Sequence, residues 1–207
     1  MPSRPPHPSH KQSQRPSLPP VDPKRVERIR RLRALQPRTD NSLRVVSVLC
    51  GRAAAPAPDL CAAVEALAQR HPRADFRWQW LRVNKPPAKR SRLPALKSSI
   101  APQLIHATSF DAALEIVAHA NLYLVAHTGY TRRDLEFLRY AMALGVPVVG
   151  PSEPAAATDS VIHHGIDGMA VAYADTGALV TALARVLFDL DLRMRMSNAG
   201  PRTHSCP

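Results

Sequence analysis

From residue 43 onward, short apolar runs rich in β-branched residues alternate with longer amphipathic segments. The strand-like runs are LRVVSVLC (43–50), FRWQWL (76–81), PQLIHATSF (102–110), LYLVAH (122–127), VPVVG (146–150) and MAVAY (169–173). Such alternation implies right-handed crossovers and a parallel sheet with helices on both faces. The predicted fold class is therefore α/β, a doubly wound, Rossmann-like parallel sheet. Its ligand site should lie beyond the carboxyl ends of the strands.

The segments between these runs have the apolar spacing of helices. Four of them are predicted to be helical: PDLCAAVEALAQRHP (58–72), SFDAALEIVAHAN (109–121), TRRDLEFLRYAMALG (131–145) and the short DSVIHHG (159–165). Residues 176–200 are predicted to form a long amphipathic helix followed by a shorter one. The domain is predicted to span residues 42–200, with a tail at 201–207.

The N-terminal region differs in composition from the rest of the chain. Residues 1–20 contain seven prolines and three basic residues but no acidic residue. A segment of this kind buries too little apolar surface to offset its chain entropy, which predicts a disordered tail over residues 1–22.

A short basic amphipathic helix with its linker is predicted over residues 23–41. Apolar side chains recur at every third position: Val26, Ile29, Leu32 and Leu35. Five arginines lie around them. The helix either docks this apolar stripe on the domain and leaves its arginines in solvent, or it contacts nucleic acid, anionic lipid or an acidic partner. No aromatic residue is interleaved for base stacking, so nucleic-acid binding is the weaker alternative.

The formal net charge is +12, and part of it falls in the loop RVNKPPAKRSRLPALK (82–97). This loop is interpreted either as a basic lip over an anion site or as a mobile, solvated loop.

The three cysteines, Cys50, Cys61 and Cys206, show no metal-ligand spacing, which favours free thiols in a reducing compartment. No stretch is long enough to span a bilayer, and the first residues lack the apolar core of a signal peptide. A cytoplasmic location is therefore predicted.

No metal site and no cofactor are predicted. Among the histidines near strand ends and loops, His106, His127, His163 and His164, no spacing suggests a metal set. Only His127, at the end of its strand, is predicted to line a ligand pocket. His163 and His164 are expected to cap a helix end or to be solvated.

The turn HTGYTRRD (127–134) carries a charge pattern that needs an explanation. Thr131 and Asp134 have the spacing of a capping box at a helix N-terminus. Arg132 and Arg133 lie in the first turn, where the helix dipole makes each exposed cation unfavourable by about 0.3–1 kcal/mol. A bound phosphate would offset that term, since a charge-assisted hydrogen bond contributes about 1.5–3 kcal/mol. The alternative is that both arginines extend into solvent or pair with Asp134 and Glu136.

Several motifs together resemble the C-terminal, donor-binding half of group 1 glycosyltransferases, the retaining enzymes of GT-B fold. They are VVSVLCGR, FDAALEIVAHANLYLVAH, YAMALGVPVVG and the closing segment with Gly165, Asp167 and Gly168. The resemblance extends from about residue 43 to 200.

This resemblance implies a nucleotide-sugar donor at the strand ends and glycosyl transfer with retention of configuration, usually without a metal. In the family, the arginine after the first strand and backbone N–H groups at a helix N-terminus hold the diphosphate. The corresponding donor- or phosphate-binding positions here are Gly51, Arg52, His127, Thr128, Gly129, Thr131, Arg132, Arg133 and Tyr140.

The sequence departs from the family pattern at most donor-site side chains. Ala57 stands where the family has a lysine, and Arg132 and Tyr140 stand where it has its sugar-contacting and ribose-binding glutamates. The turn PSEPAAATD (151–159) lacks glycine, and Ser160 replaces an acidic residue. Arg52 is the donor-site side chain that is retained. Arginine only donates hydrogen bonds and cannot accept from sugar hydroxyls, so no catalytic residue is assigned.

The resemblance covers the donor half and not the acceptor half of such enzymes. We therefore predict a glycosyltransferase-like donor-binding domain that is not catalytic as a lone chain and that transfers sugar, if at all, with an acceptor-domain partner. The alternative is a degenerate glycosyltransferase fold that acts as a protein- or nucleic-acid-interaction module through its basic arm.

Overall fold

The computed structural model describes residues 20–36, 40–49, 57–83, 103–128, 130–152 and 161–204. Their strands are β1 (Leu43–Val48), β2 (Phe76–Val83), β3 (Gln103–Ala107), β4 (Leu122–Leu124), β5 (Val148–Pro151) and β6 (Gly168–Val171). They form one sheet in the order β3-β2-β1-β4-β5-β6, and every neighbouring pair is parallel. The predicted Rossmann-like α/β fold is confirmed.

The helices are α1 (Pro23–Leu35), α2 (Pro58–Arg70), α3 (Phe110–Ala118), α4 (Arg132–Ala143), α5 (Thr176–Phe188) and α6 (Leu190–His204). Successive residues of a strand point to opposite faces of the sheet and belong to two separate hydrophobic cores. Val45 and Leu122 pack on one face with α2 and α5, whereas Val46 and Tyr123 pack on the other with α1, α3 and α4. Burial on both faces explains why the central strands β4 and β5 are continuously apolar.

The order of strands reverses beside β1. From β1 the chain proceeds outward to β2 and β3, and then crosses back so that β4 pairs with the other edge of β1. Loops leaving the carboxyl ends of β1 and β4 therefore diverge to opposite sides of the sheet. In open α/β sheets, this divergence opens the crevice in which ligands bind.

The basic helix α1 docks on the domain, and its arginines take part in the docking. Val26 and Ile29 are buried. Arg25 and Arg28 both pair with Asp111 on α3. The apolar stripe docks on the domain, as the first of the two alternatives predicts. Arg25 and Arg28, however, are ion-paired with Asp111 and are not simply solvated. The stripe also ends early, because Leu35 is 77% exposed.

A further arginine of α1, Arg30, donates to the carbonyl oxygen of Ala143 at 2.6 Å. This carbonyl belongs to the last turn of α4, where helix carbonyls lack intrahelical donors. The contact therefore gives α1 an anchor on α4 as well as on α3.

Two predicted elements differ from the structure. Residues 161–165 form no helix, because His163 is bonded to Asp167 and Gly165 turns the chain at a φ of 80°. The last helix, α6, has 15 residues against 13 in α5, and it continues through Pro201 to His204. The helix that was predicted to be the shorter of the two is therefore the longer. It includes residues 201–204, which were predicted to belong to the tail.

Several predictions fall outside the described residues: the disordered tail up to residue 19, the basic loop from residue 84 on, Cys50, Gly51, Arg52, Gly129, Ser160 and Cys206. Within the described part of the chain, no helix is both long and apolar enough to cross a membrane.

Candidate functional site

The crevice at the carboxyl ends of β1 and β4 brings two sequence-distant segments together. The backbone N–H of Ala57, at the start of α2, donates to the carbonyl oxygen of Ala126 at 2.9 Å. Leu49 continues β1 and is bonded to Leu81 of β2. Leu49 and Ala57 flank the part of the chain that contains Gly51 and Arg52, which itself lies outside the described residues. Leu49 and Ala57 both lie at the carboxyl edge of the sheet, where the segment after β4 also lies.

His127 occupies the predicted position at the end of the β4 segment and is half-buried. Its Nε2 atom is fully buried and has no hydrogen-bond partner among the described residues. Most buried polar side-chain atoms in proteins are hydrogen-bonded, so an orphaned ring nitrogen at a ligand crevice points to a polar ligand or an ordered water. Thr128, the next residue, is exposed.

The N-terminus of α4 has the predicted capping box. The Oγ1 atom of Thr131 accepts from the backbone N–H of Asp134 at 3.1 Å. The Asp134 Oδ2 atom accepts in turn from the Thr131 backbone N–H at 2.9 Å. Arg132 and Arg133 contribute first-turn N–H groups, which have no acceptor within the helix. The buried carboxylate of Asp134 already offsets part of the positive charge that the helix dipole places at this terminus.

The two arginines of the first turn have different environments. Nη1 of Arg133 lies 2.7 Å from the Glu136 carboxylate, and its guanidinium lies 4.3 Å from the centre of the Phe110 ring. Arg133 is thus directed toward α3, and its ion pair and cation–π contact offset the dipole term. For Arg133, the structure therefore agrees with the second interpretation of the first-turn arginines, namely pairing with Glu136. Arg132 is exposed at the head of the helix.

Tyr140 faces away from the crevice. It is buried, and its hydroxyl oxygen accepts from the backbone N–H of Asp22 at 3.0 Å and from Nη1 of Arg25 at 3.2 Å. Tyr140 lies eight residues after Arg132, about 12 Å along the helix axis. The phenol is therefore a docking point for α1, a role that only the position of α1 in the fold reveals.

Tyr130 covers the carboxyl end of β5 and was not among the predicted site residues. Its hydroxyl donates to the carbonyl oxygen of Pro151 at 2.8 Å. A Cβ atom added to Gly150 would lie 2.8 Å from this hydroxyl and 2.7 Å from Cδ1 of Ile162. The glycine at the end of VPVVG therefore admits the Tyr130 side chain. Tyr130 lies inside the turn at 127–134, and this position could have marked it as a site residue.

The structure thus gathers His127, Thr128, Thr131 and Arg132 along one segment at the switch point between β1 and β4. Arg133 and Tyr140 point to α3 and α1 instead. Arg25, which contacts Tyr140, has a raised pKa, chiefly because the Tyr140 hydroxyl bonds to it.

Comparison with known proteins gives structural matches only. No family model matches the sequence, and no curated protein matches it. Among solved structures, the trehalose-6-phosphate synthase OtsA is similar at a TM-score of 0.58 and 16% identity, over 88% of this chain and 46% of that one. The chain has the Rossmann-like fold of one half of a GT-B protein.

Two further solved structures share this fold and were determined with sugar nucleotides. UDP-GlcNAc 2-epimerase from Neisseria meningitidis, bound to UDP-GlcNAc, aligns at a TM-score of 0.54 and 13% identity, over 84% of this chain and 43% of that one. HepE from Anabaena, in complex with UDP-glucose, aligns at 0.54 and 14%, over 89% and 48%. This chain therefore spans less than half the length of each of these three solved structures, and identities this low establish the fold alone.

Proposed function

We propose that this chain binds the diphosphate of a sugar nucleotide, or a related phosphorylated ligand, in the crevice between β1 and β4. The observation that carries the proposal is the buried Nε2 atom of His127, which has no hydrogen-bond partner within the described part of the chain and lies where the strand order reverses. Two of the solved structures that share this fold are bound to UDP-sugars, which supports the choice of ligand class.

The first turn of α4 offers the second element of the proposed site. Its backbone N–H groups and the exposed Arg132 begin five residues after His127 in the chain, and helix N-termini favour phosphate groups. The Asp134 carboxylate opposes an anion there, so we propose that arginine charge is required for binding. Arg52 is proposed to supply the second positive charge.

We propose that the chain does not transfer sugar by itself. Arg132 cannot accept hydrogen bonds from a sugar, and the hydroxyl of Tyr140 is engaged by Asp22 and Arg25. Retaining glycosyl transfer would require an acceptor domain in addition to this donor half. A cytoplasmic location remains a prediction.

The test is a thermal-unfolding titration of the full chain with UDP, UDP-glucose and UDP-GlcNAc. At one hundred times its dissociation constant, a ligand should raise the free energy of unfolding by about 2.7 kcal/mol. R132A and R52A should each weaken UDP binding at least tenfold, since each removes a charge-assisted hydrogen bond worth about 1.5–3 kcal/mol. H127A should also weaken binding.

R133A is the matched control, because the neighbouring arginine is directed toward Glu136 and Phe110. Its UDP affinity should remain within about threefold of the unmodified chain, given the small energies of exposed ion pairs. Absence of any stabilisation at millimolar UDP or UDP-sugar would contradict the proposal. An equal loss of affinity in R133A and R132A would contradict the site.

The interaction-module alternative has less support, because Arg25, Arg28 and Arg30 contact residues of the domain itself. It predicts salt-dependent binding to nucleic acid or an acidic protein. Removing residues 1–19 tests this while keeping α1 in place, and we expect UDP binding to be unaffected by that deletion. Loss of UDP binding in the truncated chain would instead implicate the arm in the ligand site.

A further inference from the structure

Two histidines converge on one buried carboxylate. Nδ1 of His163 lies 2.6 Å from Oδ2 of Asp167, and Nε2 of His204 lies 3.0 Å from the same oxygen. The carboxylate is fully buried, with 0% exposure, and His204 is also buried. The three candidate ligand atoms all lie within 4.8 Å of one another. This arrangement joins positions that are 37 residues apart in the chain.

The cluster is separate from the proposed nucleotide site. Asp167 immediately precedes β6, so it lies at the amino edge of the parallel sheet, whereas the crevice lies at the carboxyl edge. His204 is the last residue of α6, which also packs on α4. A ligand at this cluster would therefore bind independently of a nucleotide.

The position of Asp167 is fixed by further hydrogen bonds. Its Oδ1 atom accepts from the backbone N–H of His163 at 2.8 Å, and the hydroxyl of Thr203 lies 3.1 Å from Oδ2. Such outer contacts orient a carboxylate for metal binding. They leave Oδ2 directed toward both imidazole rings.

Among the described residues, no lysine or arginine forms an ion pair with this carboxylate. The ion-pair partners of Asp167 in the described chain are His163 and His204, which are charged only when protonated. A buried carboxylate is unfavourable unless it is paired, and a metal ion bound by the same oxygen would pair with it.

We propose that His163, Asp167 and His204 form a binding site for a divalent transition-metal ion of the zinc class. Neutral imidazole nitrogens and a carboxylate oxygen are ligands that Zn²⁺ takes in proteins, and three protein ligands leave a fourth position for water. Each ring nitrogen that now faces Asp167 becomes a ligand when its proton resides on the other ring nitrogen. Metal binding would tie the end of α6 to the turn before β6.

The required rearrangement is small. Tetrahedral Zn²⁺ places its nitrogen and oxygen ligands about 3.4 Å apart, given metal–ligand distances near 2.1 Å. The present separations of 2.6 and 3.0 Å must therefore widen by less than about 1 Å. The side chain of His163 is 48% exposed, which leaves it room to move.

The test uses the full chain without an affinity tag, treated with a chelator and carrying C50S and C206S to remove thiolates outside the described residues. Zn²⁺ is titrated by calorimetry, and Co²⁺ is titrated by its visible absorption. We expect one ion per chain, a higher melting temperature with Zn²⁺, and no effect of Mg²⁺, which prefers oxygen ligands. H163A and H204Q should each weaken Zn²⁺ binding at least tenfold.

H164A is the matched control, because the adjacent ring of His164 is hydrogen-bonded to the backbone of Ala170 and is not one of the three candidate ligands. Its Zn²⁺ affinity should be unchanged. If H204Q fails to fold, H163A still decides the question, since His163 is half exposed. Zn²⁺ affinities that are equal in H163A and the parent chain, or no stoichiometric binding, would show a hydrogen-bonded cluster without a metal site.

Discussion

Replacing Ile29 by alanine is expected to lower the free energy of unfolding by about 2–5 kcal/mol, the range for removing a fully buried isoleucine side chain. Ile29 has 0% exposure and belongs to the same core as α3 and α4. The alanine would leave a cavity beneath α1, next to the contacts of Arg25 and Arg30 with α4. Urea denaturation followed by circular dichroism measures the effect.

L35A on the same helix is the control, because Leu35 is 77% exposed. A surface change of this kind should alter stability by less than about 0.5 kcal/mol. Equal effects of I29A and L35A would contradict the docking of α1. A large loss only in I29A would show that deletions reaching into α1 damage the domain, so that they do not isolate the role of the basic arm.

Replacing Gly200 by alanine is expected to destabilise the chain, although alanine is the better helix former by about 1 kcal/mol. A Cβ atom at this position of α6 would lie 2.5 Å from the carbonyl oxygen of Met142 and 3.1 Å from its carbonyl carbon. Both are backbone atoms of α4 and cannot yield as a side chain does. Overpacking of this kind lowers stability by about 1–3 kcal/mol.

The sign of the change in thermal unfolding decides between the two effects. G177A is the control, since the nearest atom to its added Cβ is Oδ1 of Asp175 at 3.3 Å. Its effect should stay within about 1 kcal/mol, the size of the helix-propensity difference. Stabilisation by G200A would mean that α6 packs less closely on α4 than the structure shows. The close approach also bears on His204, which lies one turn further along α6.

Much of the architecture could be predicted, because it depends on local patterns. The strand runs 43–50 and 146–150 overlap β1 and β5, and the Thr131 capping box forms as its spacing indicates. Strands buried on both faces are continuously apolar, and helix starts carry short capping residues, so both signals are present within a few residues of the chain.

The site was less predictable than the fold. His127 lies at a strand end as expected, but Arg133 and Tyr140 face α3 and α1. Their helix was correctly assigned, yet the direction of each side chain depends on which neighbour packs against that face. Arg25 of the docked N-terminal helix donates to the hydroxyl of Tyr140, and this contact leaves no local trace in the sequence around residue 140.

By itself, the sequence determined the class of fold, the alternation of strands and helices, and the turn at which α4 begins. These features follow from periodicity and capping, which act over distances of a few residues. The tertiary structure alone decided that α1 completes the core, that Arg132 and Arg133 have separate roles, and that His163, Asp167 and His204 meet. Such contacts join residues far apart in the chain, because the burial of apolar faces determines which elements become neighbours.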